Sequence, residues 1–291
     1  MTLPLAAPDH EIRALDEGRA VVDLASYRKI RVRGSDAKRW LHDLVTADVV
    51  SLRPGDARRS LLLDPTGHIR ADLQVACDRE GFWLFQAPDQ ADLIDAALAP
   101  YVLSSDVRLD DLSSEHGLVA FPGSADRAEG FRPSVLGAGH DVLGDGDGVE
   151  TIAGTSPDRV VVSADAVEAW RIRRGRARMG ADFDRSSLPA EAGLEAAIDT
   201  TKGCFLGQES FARVRNLGHP PRLVMHLTGD GRVDIGTMLV DDAGADVGVV
   251  TSAAELDGGR TVVLAAVRWS AREAPLRTAN ALPLIRLGPS D

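Results

Sequence analysis

The sequence predicts an α+β fold that ends in an all-β domain, and three observations carry that reading. After Pro220-Pro221 the chain runs through short apolar strands separated by Gly/Asp turns, with no helical pattern between them. Upstream, short strands alternate with helices and hairpins without a regular βαβ rhythm. The 291 residues are 44% hydrophobic and 26% charged, enough apolar side chain for about two domains with buried cores and no covalent staples.

In order along the chain, an amphipathic helix is expected from His10 to about Asp16 and an alternating strand over Lys29–Arg33. Gly34-Ser35-Asp36 opens a second helix, with Ser35 as its expected N-cap and Trp40, Leu41, Leu44 and Val45 on one face. Ser60–Leu63 and Ile69–Cys77 read as strands on either side of the turn Asp64-Pro-Thr-Gly67, and Phe82–Phe85 as a third. Asp89 is the expected cap of a helix running to about Leu98, and Val107–Leu109 and Leu118–Phe121 read as further strands. The Gly- and Asp-rich stretch from Pro122 to Pro157 is expected to be an exposed excursion. A strand over Arg159–Ser163, a helix over Ala166–Arg174 and a loop-rich stretch to Thr201 precede the all-β part. Its strands are Leu223–Leu227, Gly236–Val240, Val247–Thr251, Thr261–Ala265 and Leu282–Arg286, in a small barrel or sandwich.

Charge and cysteine content narrow the function. Lys+Arg 33 against Asp+Glu 44 leaves a net charge of −11, the wrong sign for direct nucleic-acid binding or for docking to an anionic membrane. The first dozen residues lack a basic, then apolar, leader, and no run approaches the ~20 apolar residues of a spanning helix. Cys77 and Cys204 are far apart and form no spacing pattern, so a disulfide scaffold is not expected and a reducing cytoplasm is. The seven histidines are scattered and predict no metal centre. Gly144-Asp-Gly-Asp-Gly148 carries two carboxylates and lacks a following helix, so it reads as a loop and not as a phosphate cradle.

Two features remain. Arg171, Arg173, Arg174, Arg176 and Arg178 cluster at a predicted helix end, where they complement the helix dipole or form an anion-binding rim. The sharper feature is Thr201-Lys-Gly-Cys-Phe-Leu-Gly-Gln-Glu209. Lysine occurs only at positions 29, 38 and 202, and every other basic residue is arginine, a background in which a surviving lysine marks a place where a planar guanidinium would not serve. Lys202 and the helix expected to start near Gly207 both favour a thiolate, making Cys204 a candidate reactive thiol; Cys77, in an apolar strand, reads as a small buried hydrophobe.

Lys202-Gly-Cys-Phe-Leu-Gly-Gln-Glu209 resembles the KGC[FY]xGQE signature of the YgfZ family, folate-binding proteins related to the glycine-cleavage aminomethyltransferase. Gly34–Leu41 with Leu44-Val-Thr-Ala-Asp48, Leu61–Leu73, Arg171–Gly175, Leu188-Pro-Ala-Glu191 and Val247–Ser252 resemble other family segments in the same order. The resemblance implies two ferredoxin-like α+β units around a central cavity within residues 1–218 and an antiparallel barrel over residues 219–291. It implies tetrahydrofolate or a derivative as ligand, with Glu191, then Asp72, reading the pterin edge and Arg176 or Arg178 holding the glutamate tail. Gly203, Gly207, Gln208 and Glu209 are implied to line the ligand. Where the aminomethyltransferase has an Asp-Asp pair this chain has Ala71-Asp72, and the enzyme lacks the cysteine; both departures favour the YgfZ branch. That branch supports iron–sulfur cluster assembly or repair, including for a tRNA-modifying enzyme. A monomer without turnover of its own is expected, partnered by iron–sulfur client or assembly proteins. Cys204 and Lys202 form its working end, the thiol acting as transient ligand, sulfur relay or redox-sensitive group. The alternative is a folate-dependent one-carbon transferase with Asp72 steering the proton.

Overall fold

The computed structural model describes residues 4–125, 130–146 and 158–288. The chain forms two compact units, one from Arg13–Ser163 with Ala196–Ser210, the other from Met1–Ile12, Ala164–Glu195 and Phe211–Asp291.

The first unit holds two sheets. Strands β2 (Arg28–Arg33), β3 (Ala57–Leu63), β4 (Ile69–Cys77), β5 (Phe82–Gln86) and β6 (Arg108–Asp111) form an antiparallel sheet in the order β3-β4-β5-β2-β6. Strands β1 (Ala20–Asp23), β7 (His116–Pro122), β8 (Gly139–Asp145) and β9 (Val160–Val161) form the other, in the order β8-β7-β1-β9, with β1 and β9 parallel. Helix α1 covers Asp9–Asp16, and the apolar spacing of helix α2 (Ala37–Leu44) does what the sequence predicts: Trp40, Leu41 and Val45 are buried against Ile30, Leu62, Val75 and Leu84 of the five-stranded sheet. The Trp40 indole N–H donates to the Tyr101 carbonyl at 2.8 Å, so the ring is buried without an orphaned donor. Cys77 is buried in the same core, and desolvation pushes its thiol up. Lys29, fully buried, donates to the Ala25 carbonyl at 2.7 Å, and burial lowers its pKa.

Several expectations are corrected. Ser35 does not cap α2: its N–H and hydroxyl both bond Asp106 Oδ2, and Asp36 stands at the N-cap with its carboxylate committed to the Asp106 N–H. Asp89 does not start the next helix, α3, which covers only Ile94–Leu98. Residues before it are pinned to the sheet instead, since Gln90 bonds both the N–H and the carbonyl of Asp72, and Gln86 accepts the Ile94 N–H. The Gly/Asp-rich stretch is not all excursion, because β8 pairs along β7 from His116↔Asp145 to Pro122↔Gly139; Gly144 and Asp145 thus lie in a strand, while residues 147–157 are outside the described residues. Only Val160–Val161 of the Arg159–Ser163 segment is strand.

Asp141, on β8, is fully buried. Its carboxyl accepts the Ser134 hydroxyl at 2.5 Å and the Val135 N–H at 2.7 Å. Burial outweighs both bonds and pushes its pKa up to about 7.

The second unit is built on a closed antiparallel barrel. Strands β10 (Arg222–Gly229), β11 (Met238–Val240), β12 (Asp246–Leu256), β13 (Arg260–Arg268), β14 (Leu276–Thr278) and β15 (Pro283–Arg286) run β10-β13-β12-β11-β14-β15, and β15 returns to β10. Leu227, Leu239, Val250, Val263, Ala265 and Val267 are among the residues that fill its interior. The pairing of β12 with β13 slips between Val250 and Ser252, leaving Thr251 as an extra residue. In a regular strand Thr251 and Ser252 would point to opposite faces; across this bulge both hydroxyls reach Asp182 Oδ1, at 2.7 and 2.6 Å. The other oxygen of Asp182 accepts Arg171 Nη1 at 2.7 Å and the Arg178 N–H at 3.0 Å. Arg171 lies on helix α4 (Ala164–Arg173) and uses all five of its N–H groups, on Asp182, Glu168, Ser252 and the Arg176 carbonyl.

Candidate functional site

The segment bearing Lys202 and Cys204 is sewn to the first unit at both ends. At its start, Thr46, just beyond α2, donates its hydroxyl to the Ala197 carbonyl at 2.8 Å, and its own carbonyl accepts the Asp199 N–H at 3.0 Å. Asp199 Oδ1 accepts the N–H and hydroxyl of Thr201 and the N–H of Lys202, which tightens the turn and lowers the Asp199 pKa. The Lys202 ammonium then donates to three backbone carbonyls, His42 at 2.5 Å, Val45 at 2.6 Å and Ala47 at 2.8 Å. These carbonyls lie in the last turn of α2 and just after it, where acceptors lack partners within the helix and the dipole is negative. Burial pushes the ammonium down to about 8, against the pull of Asp48, Asp43 and Asp199. His42 is lowered by its own burial and then by the Lys202 charge, and its ring accepts the Val50 N–H at 3.4 Å.

At the far end, helix α5 (Gln208–Leu217) follows Gly207, and the Ser210 hydroxyl donates to the Pro65 carbonyl at 2.8 Å. Gly207 has φ +80°, and a Cβ there would sit 2.4 Å from the Asp64 carbonyl oxygen. Between the ends, Phe205 is buried beneath the ammonium, its ring centroid 5.5 Å from Lys202 Nζ. Gly203 meets nothing within 4 Å, and Cys204 is exposed. The two glycines therefore differ in kind. Gly207→Ala is expected to cost about 2 kcal/mol or more through the left-handed backbone and the carbonyl clash, whereas Gly203→Ala stays within about 0.5 kcal/mol. Urea midpoints of the two variants check this; equal losses would remove the distinction.

The remaining sequence-predicted residues are placed as follows. Gln208 and Glu209 open α5, and the Gln208 N–H donates to the Phe205 carbonyl. Asp72, on β4, is held by Arg59 of β3 through Nε at 2.9 Å and Nη2 at 2.5 Å. Glu191, Arg176 and Arg178 belong to the second unit. There Glu191 is buried at the end of the turn Pro189–Glu191, accepting the Leu188 N–H at 3.2 Å and Arg222 Nε at 2.6 Å. The Arg178 side chain faces Glu168, with Nε 3.3 Å from Oε2. Sequence reasoning missed Arg59, Arg222 and Thr46, which hold the candidate carboxylates and the loop. Of these only Thr46 lay in a segment singled out beforehand, Leu44–Asp48. In the second unit, Leu188–Ala190, Phe211, Val214 and Trp269 wall an apolar hollow. At its edge His219 stacks on Trp269 with centroids 5.0 Å apart.

A family model described as the GCVT N-terminal domain matches residues 5–128. The chain is 25% identical over 282 residues to the tRNA-modifying protein YgfZ of Enterobacter sp. (strain 638), covering 84% of this chain and 83% of that protein. Its similarities are thus to YgfZ and GcvT-like proteins. A second relative, a protein of Arabidopsis thaliana named as a chloroplastic transferase, is 24% identical over 277 residues; the match covers 84% of this chain, which spans 64% of that protein's length. The fold is that of the glycine cleavage system aminomethyltransferase T from Bartonella henselae, with a TM-score of 0.81 at 21% identity over 98% of this chain and 90% of the other. The α+β architecture with a closed C-terminal barrel, read from the sequence, is thus the GcvT-like one. No helix among the described residues is long and apolar enough to cross a membrane.

Proposed function

We propose that this chain is a tetrahydrofolate-binding accessory protein for the assembly or repair of iron–sulfur clusters in the cytoplasm, with Cys204 as its working thiol. The observation that carries the reading is the exposed cysteine at the crest of a loop fastened at both ends. One thiolate cannot hold a cluster, which takes about four ligands, so Cys204 serves as a transient ligand toward a client or assembly protein.

The donor chemistry suits a folate. Glu191 and Asp72 each hold one guanidinium, yet every carboxylate oxygen keeps a further lone pair, so either carboxylate can still accept from the donor edge of a pterin. Arg176 and Arg178 remain the candidates for the glutamate tail, and Gly203, Gly207, Gln208 and Glu209 for the lining. The one-carbon transferase reading draws on the aminomethyltransferase fold. It gives the exposed Cys204 no part, whereas the accessory role uses it.

The test pairs wild type with Cys204→Ala. Tetrahydrofolate at about a hundred times its Kd is expected to raise the melting temperature of both by roughly 5 °C, since such a ligand adds about 2.7 kcal/mol. Only wild type is expected to restore activity of a cluster-dependent enzyme in a strain lacking the gene. Absence of any thermal shift overturns the folate assignment, and full rescue by Cys204→Ala overturns the thiol assignment.

A further inference from the structure

We infer that Lys202 is a positioning residue: its ammonium fastens the Cys204 loop to the end of α2 instead of activating the thiol. The inference rests on the proposed role of Cys204 as working thiol, and it concerns how that thiol is held. An ammonium has three N–H donors, and all three are spent on the carbonyls of His42, Val45 and Ala47. No donor is left over for a thiolate. The three acceptors converge on a single point, a geometry that a compact tetrahedral head fits and a planar fork does not.

The surroundings repeat the same purpose. Thr46 and Asp199 tie the backbone on either side of the anchor, and Phe205 closes over the ammonium, leaving Gly203 and Cys204 as the part of the loop that faces outward. The consequence is that Lys202 governs where the sulfur is.

The experiment compares full-length wild type with Lys202→Met and Lys202→Arg. Hydrogen exchange is followed over residues 199–206, and the pH dependence of iodoacetamide alkylation is read on the peptide that carries Cys204. Both variants are expected to exchange at least tenfold faster across that segment, while the pH midpoint of alkylation moves by less than about 0.3. If exchange is unchanged, or if the midpoint rises by about one unit in Lys202→Met, the anchoring role is wrong. Should the variants fail to fold, native wild type decides the matter through lysine acylation by acetic anhydride. Lys202 is expected to react at least tenfold more slowly than exposed Lys38, and the difference to vanish on denaturation; equal native rates overturn the inference. None of these measurements uses folate or a cluster, so failure of the proposed function and failure of the anchor are separately visible.

Discussion

Replacing Asp182 with alanine is expected to destabilise the protein by about 2–4 kcal/mol, because it removes one of two carboxylates from a buried guanidinium and the acceptor of further buried donors. The side chain is fully buried, and four groups converge on it: the Arg171 guanidinium, the Arg178 N–H and the hydroxyls of Thr251 and Ser252. Alanine removes one of the two carboxylates on the guanidinium, leaving it Glu168, and leaves the Arg178 N–H and the Ser252 hydroxyl short of an acceptor, while the Thr251 hydroxyl can still donate to the Leu264 carbonyl. Asp182→Asn keeps the shape and one carbonyl oxygen, so its loss should be the smaller. Urea denaturation of the three proteins at pH 7 gives the comparison; an alanine variant within 1 kcal/mol of wild type would mean that water takes over the carboxylate's bonds.

Raising the pH from 4 to 8 is expected to weaken the wild-type fold through Asp141, and Asp141→Asn should remove that part of the slope. The direction follows from linkage. In the unfolded chain the carboxyl titrates near 3.9, whereas in the fold it is pushed up to about 7, so between those values the native state binds the extra proton. Stability then falls as pH rises through the window. That displacement sets a ceiling on the order of 4 kcal/mol for the fully ionised state. This is the reverse of an ordinary salt-bridged aspartate, because burial dominates and the two bonds to Ser134 and Val135 only temper it. Other groups titrate over the same range, so the informative quantity is the difference between the two proteins. Curves that run parallel from pH 4 to 8 would show that Asp141 is ionised throughout.

Much of the fold was legible because its strands declare themselves by alternation or by unbroken apolar runs. Ile69–Cys77 and Phe82–Phe85 are examples, and the barrel strands after Pro221 are others. Ala20–Asp23 and Leu276–Thr278 went unread, since four and three residues carry too little period to register. The caps at Ser35 and Asp89 failed for a different reason. In both places the turn is organised by bonds to another segment, Ser35 to Asp106 in one case and Gln90 to the backbone of Asp72 in the other, and local propensity yields to them.

The candidate site was legible as a list of residues but not as a set of partners. Scarcity of lysine flagged position 202, and the geometry supplies the reason, three carbonyls around one ammonium. Buried Lys29, also on a backbone carbonyl, repeats the pattern on a smaller scale. What the sequence could not supply was the identity of those acceptors, which lie more than 150 positions away and are backbone atoms carried by any residue type. Arg59 and Arg222 lie only 13 and 31 positions from Asp72 and Glu191, and they were hidden because neither side chain records which segment it will face.

A sulfur carried on a span moored at both ends has little travel. Cys204 cannot swing out on a long tether to fetch a reactant, as mobile-arm carriers do. On the role proposed for it, its reactant must be delivered to it by diffusion or by a docking protein.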